Sequence, residues 1–147
     1  MPSPITWDVV QAFRTCLGQI RRANGYRTDM GAEVFDEPSK LLAGEASDCL
    51  AVYLDTVSRP ADRALANVGR DLVVVVAAKV DHTLDDRQAR IHDLLDDLDR
   101  ALTGVAARFP INGRAPEFIA AAVDPVADGL LWAGVQARYS VSVRRAR

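Results

Sequence analysis

A chain of 147 residues supplies one domain's worth of core and is too short for two of ordinary size. Hydrophobic residues make up 49% and charged residues 26%, which excludes wholesale disorder. A net charge of −2 lacks the basic excess of a general nucleic-acid or anionic-membrane binder, so neither partner is expected.

Residues 1–8 show neither the basic nor the apolar region of a signal peptide, and no targeting segment is expected there. Over residues 5–23 the apolar side chains Ile5, Val9, Val10, Phe13, Leu17 and Ile20 recur with the helical period. Asp8 in the first turn and Arg21 and Arg22 in the last suit the helix dipole. Asn24-Gly25 is the expected stop, since both residues tolerate the left-handed conformation.

The next stretch changes character. Residues 32–35 make a short candidate strand, and residues 50–54 a better one, with Leu50, Val52 and Leu54 on one face. Two segments marked by Pro38, Gly44, Pro60 and Gly69, residues 36–48 and 55–70, read as long loops, either with room for a short helical turn, as at residues 61–66. Loops of that length are often functional or mobile. Residues 72–80 form a β-branched run expected at the centre of a sheet, covered on both faces. Its apolar part, Leu72 to Ala78, is far shorter than the ~20 residues of a membrane span.

A second helix follows, capped by Thr83 and ended by Gly104, with Leu84, Ile91, Leu94, Leu95, Leu98 and Leu102 as its core stripe. Asp86–Arg90 and Asp96–Arg100 are spaced as favourable i,i+4 pairs. Residues 118–123 and 131–143 are the last two strands. The second of these alternates cleanly, with Val135, Ala137, Tyr139, Val141 and Val143 against Gln136, Arg138, Ser140 and Ser142. At ~3.4 Å per residue it spans ~44 Å, against a domain diameter near ~38 Å. It must therefore bend, with Gly134 a plausible place, or protrude as an edge seeking a partner. The order of elements is α-β-β-β-α-β-β.

Chemistry is sparse. Asp81, His82, Asp85, Asp86, His92, Asp93, Asp96, Asp97 and Asp99 form an acidic cluster, in which His92 and Asp96 share a helix face. No compact ligand motif accompanies them, and they read as the solvated side of the leucine stripe, so no metal or other cofactor is expected. Cys16 and Cys49 read as reduced, buried thiols. No nucleophile elbow or phosphate loop is present, so no catalytic residue is assigned and no enzyme activity is expected. Sixteen of the eighteen basic residues are arginine, the cation that interfaces favour for its planar, bidentate fork. The subunit-interface candidates are Arg59, Arg63 and Arg70 in one loop and Asp36, Glu37 and Glu45 in the other.

These residues resemble a family. The first helix followed by Asn24-Gly25-Tyr26-Arg27-Thr28-Asp29-Met30-Gly31-Ala32-Glu33-Val34 is similar to the opening of tail terminator or tail completion proteins of long-tailed bacteriophages and prophages. The later strands, Asp93-Leu94-Leu95-Asp96-Asp97-Leu98 and the closing Tyr139-Ser140-Val141-Ser142-Val143 extend the likeness over nearly the whole chain. The resemblance implies a single α+β domain: a mainly antiparallel sheet of about five strands with two main helices packed on one face. It implies a structural role without cofactor or reaction. Such proteins form rings, commonly hexameric, that end tail-tube polymerisation and present a surface to the head–tail connector. The implied partners are thus the chain itself, the tail tube protein and the connector protein. The implied location is the virion tail, after assembly in the bacterial cytoplasm. A neck (head–tail joining) protein or minor tail subunit is the nearest alternative. A small cytosolic metal-dependent enzyme using the Asp-rich helix, or an adaptor binding by strand addition, are alternatives of other classes.

Overall fold

The computed structural model describes residues 3–43, 48–61, 68–81, 86–103, 115–124 and 132–144. The first helix, α1 (Ile5–Leu17), begins after Pro4, whose extended backbone sets the entry. It ends six residues before the periodicity does. Bonds from Gln19 N to Cys16 O and Ile20 N to Leu17 O tighten the exit at Gly18. Arg21 and Arg22 therefore lie beyond the helix, and Arg14 occupies its last turn. Ile20 is nonetheless fully buried. A 3₁₀ turn, Arg22–Asn24, follows and is closed by Gly25 at φ +87°, the left-handed stop expected of Asn24-Gly25.

Strand β1 (Val34–Phe35) runs parallel to β2 (Cys49–Ser58), and a short helix, α2 (Ser39–Ala43), lies between them in sequence. That helix falls in the first expected loop, started by Glu37, whose carboxylate accepts from Ser39 N. The second expected loop shrinks from both sides, because β2 continues to Ser58 and β3 (Gly69–Asp81) begins at Gly69. Helix α3 (Arg87–Leu102) follows Asp86, which makes no side-chain capping bond. Thr83 and Gly104, the expected cap and stop, lie outside the described residues. Strands β4 (Glu117–Asp124) and β5 (Trp132–Arg144) complete the chain.

The five strands form one sheet in the order β1-β2-β3-β5-β4, antiparallel except for β1. This is the expected α+β architecture, with α1 and α3 on the same face and the core between. That face carries Leu50 and Val52, then Leu72, Val74, Val76 and Ala78, then Val135, Ala137, Tyr139, Val141 and Val143. Phe13 from α1 and Leu94, Leu98 and Leu102 from α3 close over them. On the opposite face, among the described residues, Leu41 of α2 clusters with Cys49, Ala51 and Ala77, with Phe35 and Tyr53 beside them. Strand β3 is central, as its composition demands, and Val74, Val75 and Val76 are fully buried.

The long last strand is not an edge, and its pairing with β3 has no bulge. All thirteen residues of β5 pair in unbroken register with the thirteen of β3, so the two strands share their length. The edge position belongs to β4 instead.

Tyr139 sits at the hinge of these layers. Its ring meets Phe13 edge-on at 6.0 Å and Phe118 at 5.7 Å. Burial, with the Asp99 carboxylate adding to it, pushes its phenol well above the ordinary range. A raised folded-state value means that the unfolded chain loses the proton first. The contribution of Tyr139 to stability is then intact below about pH 10 and falls above it. Urea midpoints measured from pH 8 to pH 11 should show that fall, and Tyr139→Phe should flatten it.

Candidate assembly surfaces

The segment from Gly25 to Gly31 is fixed from below by α3. Asp97 is fully buried and accepts from Arg27 N at 2.9 Å, Thr28 N at 2.8 Å and Thr28 Oγ1 at 2.7 Å. Arg27 Nε donates to Asp96 at 2.9 Å, and this carboxylate holds the guanidinium above its usual value. Arg100 does not pair with Asp96 as its spacing suggests. It donates to Gly25 O at 3.1 Å and stacks on Tyr26 at 4.8 Å. Arg90 does reach Asp86, at 4.0 Å, and also Asp48 at 3.7 Å. Met30 is buried, and Gly31 N donates to Ile20 O.

The acidic helix thus divides by function. Asp97 and Asp96 hold the preceding loop, while His92 points to solvent. Among the described residues no group of three His, Cys, Asp or Glu side chains converges as metal ligands. Cys16 and Cys49 are buried thiols outside any disulfide, and burial raises both.

The interface candidates separate in space. Asp36 pairs with Arg14 at 3.3 Å and Glu37 serves the start of α2, so both acids are engaged within the subunit. Arg70 is not a loop residue. It lies half-buried in β3, with Nη1 donating to Gly69 O. Arg59 is exposed at the end of β2. Glu45 and Arg63 lie outside the described residues.

Sequence reasoning missed the apolar surface at β4. Between Glu117 and Asp124 this strand reads Phe-Ile-Ala-Ala-Ala-Val, with no charge and no proline to discourage pairing. Phe118, Ile119 and Val123 are each about half exposed. Behind the strand a groove of about 240 Å³, lined by Leu95, Leu98, Asp99, Phe118, Ala121 and Tyr139, runs between α3 and β4. The signal was present as an uncharged alanine-rich strand, but its place at the edge was not.

The other end of the sheet is half closed. β1 pairs only with Leu50 and Ala51, which leaves β2 from Val52 to Ser58 without a strand on its outer side among the described residues. Where β1 is present its outer edge is guarded. Leu50 N donates to Glu33 O, so Val34 turns its carbonyl outward, and Arg14 Nε and Nη2 donate to it at 3.1 and 2.9 Å.

No family model matches this chain, and no curated protein does. No helix among the described residues is long and apolar enough to cross a membrane.

Proposed function

We propose that the chain is a structural subunit of a phage tail, assembling as a ring that caps the tail tube and offers the head connector its docking surface. The observation that carries this reading is β4: an uncharged, half-exposed edge strand backed by an apolar groove. Such an edge is a liability in an isolated domain and an asset in a subunit that is always covered. The resemblance over residues 24–34 and the closing strand supplies the setting. The side chains with the most chemistry, Asp96, Asp97 and the two thiols, support it by serving the fold.

Charge placed on the edge is the direct test. Ile119→Lys with Val123→Lys should leave the melting temperature within a few degrees, because both positions are exposed. It should abolish the oligomer seen by light scattering and give tails of uncontrolled length in electron micrographs. Deletion of the gene with tail length and head joining unchanged overturns the reading.

A further inference from the structure

We propose that the ring closes by strand pairing, with β4 of one subunit laid antiparallel along residues 52–58 of β2 in the next; this rests on the assembly reading above. Among the described residues both edges are open, and they differ, which a ring requires. A repeated heterologous contact needs two different surfaces on each subunit.

Strand directions come first. β2 and β5 run one way, while β3 and β4 run the other. Copies related by rotation about an axis parallel to the strands bring β4 beside the neighbour's β2 in antiparallel sense. The helices of every copy then lie on the same side.

Register follows from the bulges. In β4 the pairing with β5 shifts between Phe118 and Ala120, making Ile119 the extra residue. In β2 the pairing with β3 shifts between Leu54 and Thr56, making Asp55 the extra residue. Phe118, Ala121 and Val123 share the helix-bearing face with Tyr139, Ala137 and Val135. Val52, Leu54 and Val57 share it with Val76, Val74 and Leu72. One antiparallel register matches both sets: Phe118 opposite Val57, Ala121 opposite Leu54, and Val123 opposite Val52. Two residues separate Phe118 from Ala121, and two separate Leu54 from Val57, so the irregularities coincide. A slip of one residue would turn each apolar side chain against the opposite face.

The ends agree as well. Pairing stops after Val52 because Ala51 is already taken by β1. At the other end Glu117 meets Ser58, the last residue of β2. Val57, 47% exposed in the free subunit, is covered by Phe118 at the mouth of the α3–β4 groove.

The test is a disulfide between Glu117→Cys and Ser58→Cys, both at exposed positions. Directly opposed residues of antiparallel strands lie about 4.5–5.5 Å apart at Cα, within disulfide reach. The native thiols are buried and do not compete. Oxidation of the concentrated double variant should give a covalent ladder beyond the dimer on a non-reducing gel. A mixture of the two single variants should give only a covalent dimer, and neither single variant alone should cross-link. An oligomer by light scattering without this disulfide overturns the pairing and leaves the ring reading standing. A cross-link that stops at the dimer in the double variant, or a protein monomeric at every concentration, overturns the pairing too. Whether the ring reading also falls is then decided by tail length in the gene deletion.

Discussion

Asp97→Ala is expected to lower the unfolding free energy by about 3–5 kcal/mol, the scale of stranding donors around a buried carboxylate. The carboxylate is fully buried and takes all of its three hydrogen bonds from Arg27 and Thr28, about seventy residues away in sequence. Alanine leaves two backbone N–H groups and a hydroxyl without their acceptor. Against a typical total of about 5–15 kcal/mol that is a large share. In a chain of this size it corresponds to a melting temperature lower by roughly 10 °C. Asp97→Asn keeps the volume but turns an amide donor toward donors, so it should fall between wild type and alanine. Asp96→Ala is the contrast. Its partner Arg27 is exposed, and surface pairs of this kind contribute about 0–1 kcal/mol. Urea denaturation of the three variants tests the ranking. An Asp97→Ala midpoint no lower than that of Asp96→Ala would remove the clamp from the account.

Gly31→Ala should be nearly as damaging, for a steric reason. A β-carbon at Gly31 would stand 2.3 Å from Leu17 O, 2.8 Å from Ile20 O and 2.9 Å from Ile20 N. All three are backbone atoms and cannot rotate away, so the Met30–Ala32 turn must lift off the end of α1. Overpacking of this kind costs about 1–3 kcal/mol and sometimes more, and this contact stands at the upper end. Gly25→Ala has open space around it and fails only through its positive φ, at about 1 kcal/mol. Combining Gly31→Ala with Asp97→Ala should cost less than the sum, because both release the same segment. Chemical denaturation of the single and double variants measures that coupling directly.

The Gly25–Gly31 segment shows how far a linear reading reaches. The structure supplies a physical reason for the residues in it that matter. Gly25 takes the left-handed turn, Thr28 and Arg27 meet the α3 aspartates, Met30 is buried, and Gly31 permits close approach to the end of α1. From sequence alone Asp96 and Asp97 looked equally solvated. Only contact with a distant loop makes one a buried anchor and the other a surface charge.

The sequence by itself determined the two main helices, the central apolar strand and the alternating last strand. These rest on periodicity, a local property that survives without knowledge of neighbours. The tertiary structure alone decided which strand is the edge. A thirteen-residue β5 looked too long for its domain until β3, stretched to the same length, lay beside it. Strand order also placed the uncharged β4 at the rim, left residues 52–58 of β2 open among the described residues, and paired Asp36 with Arg14. Strand neighbours and ion-pair partners are set by contacts between residues far apart in the chain. Composition and local spacing do not encode those contacts one segment at a time.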